Sequence, residues 1–327
     1  MREEPGHISQ PELAGILHEQ WGLAPARLRY LPVGFGDYHW ELTDAAGGRW
    51  FVTVAELAGG WRGTSAADGY VDLRAAMEIV IALHQAGLEF AVAPVPTAGG
   101  QALAPLGSGN AVTVFPYLDA EPGESGGELP DGDRLALIGI LARLHAATPL
   151  ARRTAPARGP VPASRPVLET ALGELGQPWD GGPYSEPARQ LLARHADRLG
   201  RALAHFDELV REAARGGTAV LTHGEPHPGN ILRDAGGGLH LIDWDTAGLA
   251  LPERDLWSVA GDDPRAAGRY AELTGRPVST AAMRMYRLRW SLDDIALFLR
   301  DFRGPHERDE DTELAWEGLS EEIGEIG

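Results

Sequence analysis

The chain has 327 residues, 43% of them hydrophobic, which is enough to bury a sizeable core in one large domain or two lobes. Its formal net charge of −18 argues against a nucleic-acid partner, because such a protein needs basic side chains to neutralise phosphates. The absence of cysteine excludes disulfides and thiolate catalysis. With no apolar run of membrane-spanning length and no apolar signal segment, no membrane partner is expected and the expected location is cytoplasmic.

All 29 basic residues are arginine, so the chain contains no lysine. Any mechanism that requires a lysine is therefore excluded. The acidity itself allows two interpretations, which are the attraction of a cationic small molecule and simple solubility.

The N-terminal third of the chain is rich in predicted strands. A capping box formed by Ser9 and Glu12 predicts the start of the first helix. Aromatic and β-branched runs predict the strands, and apolar residues at helical spacing predict the second helix. In chain order the elements are a helix over 10–19, strands over 27–33, 39–43 and 50–54, a helix over 71–86, and a strand pair ending over 112–115.

Helices dominate the remainder of the chain. The predicted elements are helices over 134–147, 187–215 and 281–302, a loop over 148–166, and a short hairpin with strands over 230–233 and 239–243. A β-rich part followed by an α-rich part predicts an α+β fold of two lobes with a cleft between them.

Three residues around the predicted hairpin point to phosphoryl transfer. That reaction needs oxygen ligands for Mg²⁺ and an acidic side chain near the attacking hydroxyl. Antiparallel pairing brings Asn230 and Asp243 together across the hairpin, and the loop before it carries Glu225. We therefore predict that Glu225, Asn230 and Asp243 are the catalytic residues.

These segments resemble the aminoglycoside-phosphotransferase family. His223-x-Glu225-x-x-x-x-Asn230 is similar to the family's His-Gly-Asp-x-x-x-x-Asn catalytic loop. The segment 242–245 resembles its metal-binding segment, and 252–256 resembles the stretch that follows, most closely in the spectinomycin-phosphotransferase branch. The resemblance covers nearly the whole chain.

The resemblance implies a two-lobed protein-kinase-like fold. Residues 1–118 would form a β-rich, nucleotide-binding N-lobe, and residues 119–327 a mostly helical C-lobe with the catalytic loop and the acceptor pocket. The implied cofactors are ATP or GTP and Mg²⁺. The implied partner is a small molecule that accepts phosphate on a hydroxyl group, while the oligomeric state is left open.

The resemblance also implies a role for particular residues. Asn230 and Asp243 would bind the metal, with Asp245 supporting them, and Asp255 would brace the catalytic loop. Glu225 would orient or deprotonate the acceptor hydroxyl. The nucleotide site would include Gly34, Gly36, Asp37, Thr53, Phe115 and Tyr117, and the acceptor pocket would include Trp290, Asp294 and Asp301. The last three also fit a core-facing stripe edged with solvated acids.

The sequence departs from the family's pattern at two positions. Glu225 replaces the family's aspartate, and glutamate is chemically competent as a base, although its added methylene displaces the carboxylate and is expected to lower efficiency. Thr53 lies on the third strand, where a kinase-like fold places its phosphate-binding lysine. Arginine is the expected substitute, from Arg49, Arg62 or Arg74, with Glu78 as the usual ion-pair partner.

The predicted function is ATP- and Mg²⁺-dependent phosphorylation of a small-molecule hydroxyl, on a cationic or sugar-containing antibiotic. Two alternatives stay open. One is a pseudokinase that binds a ligand or partner without efficient catalysis, and the other is a metabolic kinase for an amino alcohol or sugar. His223 is expected to pack the loop, and His145 to face the core.

Overall fold

The computed structural model describes residues 4–34, 36–57, 65–123, 127 and 129–326. Its helices are α1 (Gln10–Trp21), α2 (Ala66–Gln85), α3 (Asp131–Ala146), α4 (Thr148–Ala151), α5 (Arg165–Gly173), α6 (Ser185–Ala213), α7 (Glu253–Ala260), α8 (Pro264–Thr274), α9 (Thr280–Arg303) and α10 (Glu310–Glu325). Its strands are β1 (Pro25–Leu31), β2 (Tyr38–Asp44), β3 (Arg49–Glu56), β4 (Ala104–Leu106), β5 (Asn110–Pro116), β6 (Ala120–Pro122), β7 (Val220–Thr222), β8 (Ile231–Asp234), β9 (Leu239–Leu241) and β10 (Gly248–Ala250). This order confirms the α+β class.

The chain forms two compact units. The first comprises Met1–Arg158 and Ala219–Pro277, and the second comprises Gly159–Thr218 and Val278–Gly327. The first unit contains all the strands that the structure describes, together with the predicted catalytic segments. The second unit packs α5, α6, α9 and α10 around buried side chains such as Phe206. The lobe boundary at residue 118 stays a prediction.

Five antiparallel strands form the N-terminal sheet in the order β1-β2-β3-β5-β4. Alternation along the strands separates two faces. One face buries apolar residues against the helix α1, and these are Trp40, Leu42, Val52, Val54, Val112 and Val114 against Leu13 and Leu17. The other face carries His39, Thr53 and Thr113, which are paired in register across β2, β3 and β5. This second face also carries Phe51 and Phe115 and lies on the side of the sheet away from that core.

The predicted hairpin is present with slightly different bounds. Strands β8 and β9 pair antiparallel, with Ile231 opposite Leu241, and β6 adds a third strand. Asn230 ends a 3-10 helix, Pro228–Asn230, instead of starting the strand. The predicted end of the hairpin at residue 243 lies beyond β9.

Three predictions about the helices need correction. Helix α2 begins at Ala66, because Ser65 caps it by accepting the amide of Asp68, a signature that apolar periodicity alone does not show. The predicted loop over 148–166 includes the short helix α4, in which proline occupies the first turn. For α3, the sequence predicts an apolar face of Leu135, Ile138, Leu141 and Leu144, but Leu135 is 44% exposed and does not belong to it.

No helix in the described part of the chain combines the length and the hydropathy that a bilayer-spanning segment needs.

We expect Leu17→Ala to lower the free energy of unfolding by about 2–5 kcal/mol, because Leu17 is fully buried where α1 covers the sheet. The matched control is Leu135→Ala, which removes the same atoms from an exposed position and should change stability by less than about 0.5 kcal/mol. Urea denaturation measures both. Equal losses would contradict the assignment of this core.

Candidate active site

A backbone hydrogen bond joins the two segments that carry the predicted catalytic residues. The amide of Ile242 donates to the carbonyl of Asn230 at 3.0 Å, continuing the β8–β9 pairing by one step. Asp243 follows directly and has a φ of 61°, the single left-handed value among the non-glycine residues that the structure describes. Such a backbone costs on the order of 1–3 kcal/mol and persists where surrounding structure enforces it, often at functional sites.

The side chain of Asn230 is held in one orientation. It is 7% exposed, and its Nδ2 donates to the carbonyl of Glu225 at 3.0 Å and contacts Nε2 of His227 at 3.3 Å. Because Nδ2 makes both of these contacts, Oδ1 is the atom that the amide offers to a cation. The amide oxygen of Asn230 and the carboxylates of Asp243 and Asp245 are hard oxygen donors of the kind that Mg²⁺ prefers. The donor set therefore fits a magnesium ion.

His223 forms hydrogen bonds to both the catalytic loop and the segment that follows β9, and so packs the loop as the sequence predicted. Its ring is fully buried, with Nε2 donating to the carbonyl of Ile242 at 2.8 Å and Nδ1 accepting the amide of Glu225 at 3.2 Å. Both hydrogen bonds require the neutral ring with its proton on Nε2. Burial lowers the pKa of His223 to about 4, so this tautomer is maintained at neutral pH. The imidazole thus fixes the backbone of Glu225 relative to the residue before Asp243.

Asp255 anchors the loop from α7 and is completely buried. Its Oδ2 accepts the amide of His223 at 2.9 Å, and its Oδ1 accepts the amide of Gly224 at 2.6 Å. His145 donates from Nε2 to the same carboxylate at 3.0 Å, and its Nδ1 accepts the Tyr270 hydroxyl at 2.6 Å. Burial acts to raise the pKa of Asp255, but the hydrogen bond from His145 and the positive charge of Arg254 act in the opposite direction, and the pKa is lowered overall. Asp255 thus braces the loop, as the resemblance implied, and His145 faces the core as expected.

The loop passes too close to α7 for any residue except glycine at position 224. Gly224 has a φ of 109°, and a Cβ there would collide with the guanidinium of Arg254. That guanidinium donates to the hydroxyl of Thr222 at 2.9 Å and to the carbonyl of Thr246 at 3.1 Å. Arg254 therefore connects Thr222, which precedes the catalytic loop, to Thr246, which follows the predicted metal-binding segment 242–245.

A second arginine connects helix α2 to residues 246–247, which follow the predicted metal-binding segment 242–245 (hereafter the metal segment). Arg158 donates from Nη1 to both carboxylate oxygens of Asp72, at 3.0 and 2.9 Å. Its Nε donates to the carbonyls of Thr246 at 3.1 Å and Ala247 at 3.3 Å. Both charged side chains are about four-fifths buried, at 18% and 20% exposure. Glu78, in contrast, is 51% exposed and pairs only weakly with Arg74 of the same helix, at 3.7 Å.

The predicted nucleotide residues lie along the N-terminal sheet. Gly34 and Gly36 have φ values of 71° and 97° in the connection between β1 and β2, where Asp37 follows them. Thr53 lies in the centre of β3, and its hydroxyl contacts Nδ1 of His39 at 3.2 Å. Phe115 lies near the end of β5, opposite Phe51 of β3.

Two of the arginines proposed to replace the lysine form ion pairs with carboxylates. Arg49 forms ion pairs with Glu41 at 2.9 Å and Asp119 at 2.6 Å, and covers the ring of Tyr117 at 3.8 Å. Arg74 pairs with a carboxylate on α2, and Arg62 lies outside the described residues. The hydroxyl of Thr53 instead contacts the imidazole of His39.

The predicted acceptor residues all lie on α9 in the second unit. Trp290 and Asp294 are partly buried, whereas Asp301 is exposed and pairs with Arg300 at 2.8 Å. Their role in an acceptor pocket stays a prediction.

Sequence reasoning did not identify three residues of this site. His39 is recognised only through its register with Thr53, and Asp72 and Arg158 only through their contact across 86 residues. No motif surrounds Arg158, which lies in a loop rich in proline, alanine and arginine.

The buried His223 predicts a pH dependence of stability. Its folded pKa is below its unfolded value, so the unfolded state binds the proton first and stability is lost as pH falls from about 6.5 toward 4. The loss reaches on the order of 3 kcal/mol. Denaturation of wild type and His223→Gln between pH 7.5 and 4 measures it. The stability gap between them should narrow as pH falls, and a constant gap would contradict this assignment.

The Arg158–Asp72 pair should stabilise the protein through a measurable coupling. A double-mutant cycle with Arg158→Ala and Asp72→Ala is expected to give about 1–3 kcal/mol, because Nη1 of Arg158 contacts both carboxylate oxygens of Asp72 and the pair is largely buried. The matched control is the exposed pair of Arg74 and Glu78, which should give less than about 0.5 kcal/mol. Equal coupling energies in the two cycles would contradict a stabilising role for the contact between Arg158 and Asp72.

Two sequence comparisons bear on this site. A family model described as the phosphotransferase enzyme family, APH, matches residues 27–288. Protein StrN of Streptomyces griseus is 31% identical over 266 residues, which cover 76% of this chain and 76% of that protein.

Solved structures share the fold at low identity. The spectinomycin phosphotransferase APH(9)-Ia, in complex with ADP and spectinomycin, has a TM-score of 0.74 at 16% identity, covering 96% of this chain and 94% of that one. Amicoumacin kinase hAmiN, in complex with AMP-PNP and Ca²⁺, has a TM-score of 0.61 at 15% identity, covering 98% and 93%. Choline kinase LicA of Streptococcus pneumoniae has a TM-score of 0.55 at 15% identity, covering 96% and 98%. These neighbours confirm the kinase-like fold.

The family match begins within β1 and ends within α9. It includes the segments that resemble the catalytic loop and the metal-binding segment, together with Asp255. Together with the relative at 31% identity, it shows that this chain belongs to the phosphotransferase enzyme family.

Proposed function

We propose that the protein transfers the γ-phosphoryl group of ATP or GTP, with Mg²⁺, to a hydroxyl group of a small molecule in the cytoplasm. The observation that carries the proposal is the fixed set of Glu225, Asn230 and Asp243. The hydrogen bonds of His223 and Asn230 hold the backbone of Glu225 beside the metal segment. A protein with only a structural role would not need the strained backbone of Asp243 next to the oriented and buried amide side chain of Asn230.

Each residue of the set has one chemical task. The carboxylate of Glu225 accepts the proton of the acceptor hydroxyl while that oxygen attacks the γ-phosphorus, and the bond from phosphorus to the β–γ bridging oxygen breaks to release the nucleoside diphosphate. Asn230 and Asp243 would hold Mg²⁺, with Asp245 in support. The ion supplies neutralisation of the charge on the transferred phosphoryl group.

The nucleotide would lie on residues 1–118. Gly34, Gly36 and Asp37 form the turn that would approach the phosphates, and Phe115 and Tyr117 would lie beside the base. The amide of Tyr117 already donates to the carbonyl of Arg49 at 3.3 Å, so the base would use other groups of the 115–118 segment.

For the acceptor, we propose a hydroxylated antibiotic that carries positive charge. Two solved structures with this fold are of kinases in complex with spectinomycin or amicoumacin. A net charge of −18 favours a cationic substrate over an anionic one. Trp290, Asp294 and Asp301 of α9 are the residues proposed to contact it. A choline kinase also shares the fold, so amino alcohols are the alternative acceptors that the assay includes.

The test is release of ADP and mass-spectrometric detection of phosphorylated product from a panel of antibiotics, amino alcohols and sugars. Asp243→Asn should abolish Mg²⁺-dependent nucleotide binding in calorimetry and all transfer. Glu225→Gln should keep nucleotide binding and lower kcat by about 10²–10⁴-fold. Glu225→Asp, which restores the family's residue, is the matched control and should retain activity.

Two outcomes would overturn the proposal. Binding of MgATP without transfer to any acceptor, unaffected by Glu225→Gln, would favour the pseudokinase alternative. Absence of nucleotide binding at millimolar concentration, with and without Mg²⁺, would exclude the kinase function.

A further inference from the structure

The segment that carries Arg158 lies alongside strand β10. The amide of Arg158 donates to the carbonyl of Leu249 at 2.8 Å, and the amide of Leu249 donates to the carbonyl of Pro156 at 2.8 Å. Strand β10 pairs in turn with β7, which precedes the catalytic loop. The backbone of Arg158 is therefore fixed relative to the strands on either side of the predicted catalytic segments.

The lack of a side chain at position 248 allows the arginine to cross β10. A Cβ on Gly248 would lie 2.6 Å from the carbonyl oxygen of Pro156 and 2.7 Å from Cγ of Arg158. Neither distance leaves room for a carbon atom, and the backbone carbonyl belongs to the segment paired with β10. Any residue other than glycine would therefore displace Arg158 from its place.

The guanidinium of Arg158 donates to two different parts of the chain. Its Nε and Nη2 donate to the carbonyls of three consecutive residues, which are Asp245 at 3.4 Å, Thr246 at 3.1 Å and Ala247 at 3.3 and 3.2 Å. Its Nη1 donates to both carboxylate oxygens of Asp72 on α2. Because a guanidinium is planar and rigid, one group fixes the distance between α2 and the end of the metal segment.

The burial of this contact allows it to transmit a displacement. The side chains of Arg158 and Asp72 are 18% and 20% exposed, whereas that of Glu78 on the same helix is 51% exposed. A partly buried ion pair is screened less by solvent and salt than a pair at the surface. A shift of the carbonyls after the metal segment would therefore strain the contact with α2, and a shift of α2 would strain the metal segment.

We propose that Arg158 is a positioning residue that couples α2 to the metal segment, so that Asp72 controls the affinity for Mg²⁺-bound nucleotide without being one of its ligands. This inference rests on the proposed function, in which Asn230 and Asp243 hold the ion with Asp245 in support. Arg158 acts through the carbonyl groups at and after Asp245. Because such coupling is reciprocal, bound metal and nucleotide also strengthen the attachment of α2.

Calorimetric titration of AMP-PNP into the full chain, once with Mg²⁺ and once with EDTA, measures the gain in nucleotide affinity that the metal provides. Arg158→Ala and Asp72→Ala should each reduce this gain about 5–50-fold and leave metal-free binding within about twofold. Asp72→Glu, which keeps the carboxylate, should retain the gain to within about threefold of wild type.

The matched control is Arg165→Ala in the second unit. Arg165 is also 20% exposed and pairs with an aspartate, Asp207. Its loss should lower stability and leave the metal-dependent gain unchanged. Thermal unfolding confirms that each variant is folded at the temperature of the titration. If Arg158→Ala fails to fold, Asp72→Ala and Asp72→Glu provide the same comparison, because Arg158 then keeps its carbonyl partners.

The double variant gives a readout that a merely structural role would not move. Since Asp72 acts through Arg158, the variant with both Arg158→Ala and Asp72→Ala should bind Mg²⁺ and AMP-PNP within about twofold of Arg158→Ala alone. Effects of the two substitutions that simply add would show independent roles and overturn the coupling.

The remaining outcomes separate this inference from the proposed function. An unchanged metal-dependent gain in Arg158→Ala and Asp72→Ala, with phosphoryl transfer intact in wild type, would overturn the role of Arg158 alone. Equal weakening of metal-free and metal-bound nucleotide would also overturn it, because it would show a general effect on the nucleotide site. A wild type that binds no nucleotide in either titration would overturn both.

Discussion

The buried carboxylate of Asp255 is the constraint on which the arrangement of this site depends. It accepts two consecutive backbone amides, from His223 and Gly224, and a third hydrogen bond from His145. A buried charge is costly unless hydrogen bonds satisfy it, so the carboxylate and the loop stabilise each other. The loop can therefore keep its course between β7 and the 3-10 helix, with Gly224 at a φ of 109°, without regular secondary structure.

A second set of contacts fixes the position of this anchored loop relative to the metal segment. His223 uses one ring nitrogen for the amide of Glu225 and the other for the carbonyl of Ile242, so one neutral imidazole sets the distance between the loop and the metal segment. Arg254 and Arg158 fasten the segment after Asp245 through its carbonyl groups. Side chains outside the predicted catalytic set thus determine where Glu225, Asn230 and Asp243 lie.

The connection of α2 shows how the chain functions without lysine. A kinase-like fold commonly joins the third strand to this helix through an ion pair between lysine and glutamate. Here Glu78 is exposed, and α2 is held instead by Asp72 and Arg158. Helix α2 is thus positioned by an arginine from a distant loop, and not by a lysine on β3.

The sequence by itself determined the α+β order and the family, and it predicted the two segments that carry the candidate catalytic residues, because strand alternation, turn composition and motif spacing are local properties. It also predicted that His223 and His145 would be structural. Only the tertiary structure decided that Leu135 faces solvent, that Arg49 is engaged at the sheet edge, and that Arg158 reaches Asp72. These facts depend on strand register and on contacts between distant segments, which the order of residues along the chain does not encode locally.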